Sequence, residues 1–155
     1  AYARRIQREV IFSLAAVLFF LQGKHRSAQV TAIALAVALG LIFATRALVP
    51  RMRPPNAQNW LGPYDLQGSY PSASVFLFIL GMVMLGFAVW GAAGSRRKRV
   101  LYLVLATLLS VWVCLSQFYL SLHYLTDILG GIAGAALVGW IAYHFLEPGV
   151  TEPEA

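Results

Sequence analysis

Residues 116–146 read SQFYLSLHYLTDILGGIAGAALVGWIAYHFL, and the change of character at Asp127 decides the fold. From 127 to 146 the chain has no Lys, Arg or Glu, over about the 20 residues that an α-helix needs to cross a hydrocarbon core of ~30 Å. Ser116, Gln117, His123 and Asp127 stand at the mouth of that stretch. Three more segments of similar length and character precede it, at residues 28–49, 73–94 and 100–120. A fifth, residues 10–21, is short for a span, so it is either a helix lengthened by snorkelling Arg8 and Lys24 or an interfacial piece. Over its 155 residues the chain is 59% hydrophobic and 12% charged, with a mean hydropathy of +0.70. These values exclude an ordinary soluble domain. They predict an all-α, multi-pass membrane helical bundle of about five transmembrane helices. Residues 1–155 form one domain, with a core at 28–146 and an acidic tail at 147–155.

The remaining composition narrows the partners. Arg4, Arg5 and Arg8 precede an apolar run as in a secretory signal, but no small-residue cleavage site follows Leu21, so the segment is expected to be retained. Cys114, the single cysteine, lies in an apolar run and reads as a small buried hydrophobe. The net charge of +6 sits in clusters whose use is orientation in a membrane and not nucleic-acid binding. Arg96, Arg97, Lys98 and Arg99 share one side with Lys24 and Arg26, while Arg4, Arg5, Arg8, Arg46, Arg51 and Arg53 share the other. With the last three assigned to a site, the Arg96–Arg99 side becomes cytoplasmic and the polar site extracytoplasmic.

Three polar islands interrupt the apolar segments: RALVPRMRP at 46–54, PSAS at 71–74, and SQFYLSLHYLTD at 116–127. Polar groups at membrane depth survive where they face one another or a water-filled cavity, so the islands read as one site. Arg46 and Arg53 are two turns apart if the helix persists. Their planar guanidinium forks match phosphate oxygens, although arginines also anchor helix ends in headgroups. Pro71 and Ser72 mark a helix start whose free N–H groups suit an anion, or merely cap it. His123 and Asp127 stand four residues apart, within reach on one helix face: a carboxylate-oriented base or nucleophile, or a structural bridge. No further His, Cys or carboxylate lies near enough in sequence to suggest a metal.

In order and spacing the islands resemble the type 2 phosphatidic acid phosphatase superfamily, whose signature is K-x6-RP, PSGH and SR-x5-H-x3-D. Here the motifs stand as Arg46-x6-Arg53-Pro54, Pro71-Ser72-Ala73-Ser74 and Ser116-Gln117-x5-His123-x3-Asp127, and the likeness spans residues 28–146. The resemblance implies that His123 is the nucleophile that becomes a phosphohistidine and that Asp127 orients it. It implies phosphate-binding roles for Arg46, Arg53, Ser72, the Ala73 amide and Gln117, and the leaving-group acid position for Ser74. It implies no metal or other cofactor, and as partners membrane lipids with an anionic phosphate or diphosphate headgroup.

Three positions depart from the signature. Ser74 stands where the family has its acidic histidine, and general acid catalysis contributes about 10²–10⁴-fold. Gln117 stands where the family has arginine, and one lost clamp donor is worth about 10²–10³ in rate. Ala73 replaces a glycine at the phosphate. Two function classes follow. One is a phosphohydrolase of altered chemistry, best suited to a lipid diphosphate, whose leaving group needs less protonation. The other is an inactive member that binds lipid headgroups or serves as a subunit of a membrane complex.

Overall fold

The computed structural model describes residues 15, 17, 21–57, 68–92 and 95–146. Among the described residues four helices, each long and apolar enough to span a membrane, run in order: α1 His25–Leu48, α2 Ala73–Ala92, α3 Arg96–Tyr119 and α4 Leu125–Leu146. Among the described residues there is no strand. The chain is therefore an all-α, multi-pass integral membrane protein, and its helices cover the four long segments predicted from hydropathy. Of the fifth segment only Ala15, Val17 and Leu21 are described. The expectations for Arg4, Arg5, Arg8 and the tail at 147–155 lie outside the described residues.

Local chemistry sets the helix ends. α1 stops at Leu48 because Pro50 disfavours a helical Val49, which takes φ −122° and ψ 79°. Ser72 caps α2, its hydroxyl accepting from the Val75 N–H at 3.5 Å. Ser95 caps α3 in the same way through Lys98 N–H at 3.3 Å. The end of α3 is a Schellman motif: Leu122 N–H donates to Gln117 O at 3.0 Å and Ser121 N–H to Phe118 O at 2.9 Å. Its left-handed residue is Ser121, at φ 51°, where glycine is the usual occupant. This turn drives Leu122 and His123 inward, and both are buried.

α2 and α4 form the centre, with α1 packed against them. Leu80 and Met84 of α2 meet Ala135, Val138 and Ala142 of α4 and Ala34, Ala38 and Ile42 of α1 in one buried cluster. In lipid such contacts depend on close packing, since tails are as apolar as leucine. Gly131 and Gly134 permit it. A β-carbon on Gly131 would lie 2.9 Å from the Ser72 carbonyl oxygen, and one on Gly134 would lie 2.5 Å from the Phe76 ring. α3 is peripheral, its Leu108, Trp112 and Leu115 exposed toward what is lipid in the membrane.

Two sequence expectations change. Because α1 ends at Leu48, Arg46 and Arg53 do not share a helix face; Arg53 sits on the non-helical segment that follows Pro50. His123 is likewise not on the face of α4, which begins at Leu125. Asp127 is in the first turn and folds back to accept the Tyr124 N–H at 3.0 Å, as the acidic member of a capping box does, so His123 is met in the loop.

Candidate active site

The site is organised around Asp127, whose side chain is fully buried. Its Oδ2 accepts from the Ser69 hydroxyl and from Tyr124 N–H. Its Oδ1 accepts from Arg51 Nη1 at 3.1 Å. Arg51 is steadied by a 2.6 Å bond to Thr126 Oγ1 and by the Tyr124 ring, whose centroid lies 4.3 Å from the guanidinium carbon. A buried carboxylate is tolerated only when paired and hydrogen-bonded, and this one is both.

His123 lies beside it. Its Nδ1 is 3.6 Å from Asp127 Oδ2, and its Nε2 is 2.9 Å from Arg53 Nη1, which also donates to the Leu122 carbonyl at 3.1 Å. Guanidinium has only donors, so Nε2 is the acceptor and the ring proton is on Nδ1, facing the carboxylate. His123 is in the segment between the spans of α3 and α4. Burial, and next the Arg53 charge, push its pKa down to about 4, against the opposing pull of Asp127.

Backbone contacts tie the islands together. Ser72 N–H donates to the Asp127 carbonyl at 2.9 Å, joining the start of α2 to the start of α4. Ser69 N–H donates to Arg51 O at 2.9 Å, joining the return limb of the long loop to the arginine segment. Of the predicted residues, His123, Asp127 and Arg53 are in direct contact, and Ser72 reaches them through its backbone. The Ser72 hydroxyl is buried on the α2 cap. Ala73 is buried in the core and Ser74 is half-buried in the first turn of α2. Gln117 is buried, its carbonyl in the Schellman turn. The Arg46 side chain runs beside Gly68: a β-carbon there would lie 3.1 Å from Arg46 Cδ, and at φ +70° glycine also suits the backbone. Arg46, Arg51 and Gly68 line one cavity of about 410 Å³.

From the sequence Arg51 was assigned to the site only as one of three charges, with no role of its own, and Ser69 was not singled out. The signal for Arg51 was its spacing of two from Arg53, which in an extended segment after Pro50 sends both arginines to one side, here toward Asp127 and His123. Ser69 had no signal beyond a polar residue just before Tyr70-Pro71. Among the described residues no three His, Cys, Asp or Glu side chains cluster. A cleft of about 950 Å³, lined by Pro54, Trp112, Leu115, Tyr119 and Tyr124, opens beside His123.

No curated protein and no solved structure matches the chain. A family model described as the PAP2 superfamily matches residues 27–149, a stretch that holds nearly all of the four helices and every island just described. The protein is thus a membrane lipid-phosphatase-like chain, and it belongs to the PAP2 superfamily.

Proposed function

We propose that this protein removes the terminal phosphate of a membrane-anchored lipid diphosphate through a phosphohistidine on His123. The observation that carries the reading is the buried imidazole held between Arg53 at 2.9 Å and Asp127 at 3.6 Å. With its pKa near 4 the ring is neutral at pH 7 and its lone pair is on Nε2. An incoming phosphate is a stronger guanidinium acceptor than imidazole, so it draws Arg53 onto its own oxygens and frees Nε2. Nε2 then attacks phosphorus. The N–P bond forms as the bridging P–O bond breaks, and its electron pair leaves on the lipid monophosphate. Asp127 balances the charge on the phosphorylated ring. Water attacks the phosphohistidine, gives up a proton to solvent and releases inorganic phosphate as the N–P pair returns to Nε2.

A diphosphate is favoured because Ser74 stands where a proton donor would serve an alkoxide, and a departing phosphate needs that donor least. The cleft beside His123 supplies an apolar wall for the proximal part of the lipid tail. The basic Arg96–Arg99 run opens α3 while Gln117 is near its other end, which supports an extracytoplasmic site if the basic end is cytoplasmic.

A second reading, headgroup binding without turnover, is favoured by one distance and one residue. At 3.6 Å the His123–Asp127 pair is beyond a good hydrogen bond, and Gln117 brings no charge to the clamp. The two separate by phosphate release from a lipid diphosphate and its monophosphate, using the purified full chain beside His123→Ala. The proposal expects faster release from the diphosphate and none from the variant. Headgroup binding with no release supports the second reading, and equal release from both proteins removes the enzymatic one.

A further inference from the structure

His123 Nδ1 is buried, and among the described residues it has no hydrogen-bond partner. A buried N–H without an acceptor is costly and rare, so one that lies beside a carboxylate needs a cause. Its neighbour there is Asp127 Oδ2, at 3.6 Å. Burial and then the Arg53 charge lower the His123 pKa, while Asp127 and the Ser69 backbone pull it the other way, neither making a hydrogen bond to Nδ1.

A count of donors supplies the cause. An ionised carboxylate has about four lone-pair sites, two on each oxygen. Oδ2 already accepts from the Ser69 hydroxyl and from Tyr124 N–H, which fills both of its sites, whereas Oδ1 accepts from Arg51 alone. The oxygen that faces the ring is thus the saturated one. Of the two donors on it, Tyr124 N–H is fixed in the backbone just before α4 begins. The Ser69 hydroxyl is set by side-chain rotation, on a fully buried residue whose N–H is anchored on the Arg51 carbonyl at 2.9 Å.

We infer that Ser69 is a positioning residue that competes with His123 for Asp127, its hydroxyl holding the lone pair that Nδ1–H would otherwise take. The 3.6 Å gap is then a property of the resting site, kept open by a third residue. Withdrawing the hydroxyl lets the ring close on the carboxylate, which makes Nε2 more electron-rich. The same movement lengthens the 2.9 Å contact of Nε2 with Arg53, so a bond gained on one side of the ring comes with one weakened on the other. Both changes favour attack by Nε2. That consequence rests on the reaction proposed above, whereas the competition is read in the resting protein.

The test is proton–nitrogen correlation NMR of the detergent-purified full chain at pH 7, isotope-labelled at its three histidines, the His123 signal being identified by its loss in His123→Gln. In the unsubstituted protein the proton should be on Nδ1, without the downfield shift of a charge-assisted hydrogen bond. Ser69→Ala should move it downfield while it stays protected from exchange with water, and Ser69→Thr, which keeps the hydroxyl, should leave it in place. A role confined to packing would instead open the site and speed exchange. If Ser69→Ala does not fold, Ser69→Cys decides, since a thiol is a weak donor and should give part of the shift. A proton already far downfield in the unsubstituted protein, one unmoved in Ser69→Ala, or one lost to exchange there would each overturn the inference. Given a lipid diphosphate, Ser69→Ala should also form phosphohistidine about 10-fold faster, the equivalent of about 1.4 kcal/mol. A downfield shift with no phosphohistidine in either protein would support the competition and remove the proposed reaction.

Discussion

Asp127 has two kinds of partner, and they differ in worth. The Ser69 hydroxyl meets it in a fully buried setting, whereas the Arg51 side chain is 38% exposed and shares its charge with solvent. A hydrogen bond to a buried charged group contributes about 1.5–3 kcal/mol, and a half-exposed ion pair about 1 or less. Ser69→Ala should therefore destabilise by about 2 kcal/mol and Arg51→Gln by about 1, read from unfolding of the purified protein in SDS. The reverse order would mean that Arg51 is the main support of the carboxylate. His123 adds a pH dependence whose sign is fixed by its depressed pKa. Unfolded, the ring takes up a proton near pH 6.5; folded, only near about 4. The unfolded state thus binds more protons in that window, and stability is complete above about pH 6.5 and falls as pH drops toward 4. Midpoint temperatures between pH 7 and 4.5 should show this fall, with a shallower slope in His123→Gln. An identical slope would remove the ring as its source.

At the scale of helices, the same residue type has opposite meanings in two places. Gly40 of α1 has nothing within 4 Å of its missing β-carbon, so Gly40→Ala should stabilise by up to about 1 kcal/mol through helix propensity alone. On Gly131 the added carbon would press on the Ser72 carbonyl oxygen and the Phe76 amide. That backbone joins the starts of α2 and α4, so Gly131→Ala should destabilise by about 1–3 kcal/mol despite the better propensity. Thermal unfolding of the two variants side by side checks the pair, and the same sign in both would refute the close α2–α4 contact. The sequence made α4 legible because its hydropathy and its glycines state a packed span directly. It did not reveal how His123 reaches Asp127. Spacing of four suggested a helix face, but the contact depends on a left-handed Ser121 and a capping aspartate, features of backbone geometry that no periodicity carries. Arg53 on His123 was legible in outline, since both belong to spaced motifs; Arg51 and Ser69 were not, because their roles arise from a loop that folds back on itself.

Across the whole molecule, the charged residues that match the family signature and the positions that depart from it fall in different layers of the candidate site. His123, Asp127 and Arg53 form a contiguous polar unit, while Ala73, Ser74 and Gln117 belong to the helix ends that surround it. In the reaction proposed above, such a division leaves the surroundings of His123 intact and confines the alteration to the positions assigned to the leaving oxygen and the phosphate charge. The combination Ala73→Gly, Ser74→His and Gln117→Arg should therefore raise phosphate release from a lipid monophosphate by at least about 10²-fold, since it restores a proton donor and a clamp charge together. Ser74 is half-buried, so a ring there has an opening to enter, whereas Gln117 is buried and an arginine must find phosphate to be tolerated. The gain should consequently depend on substrate: Ser74→His alone should help the monophosphate more than the diphosphate. A triple variant that folds, binds phosphate and stays silent on both substrates would show that the surrounding layer has changed beyond these three positions, and that the polar unit now holds a headgroup without turning it over.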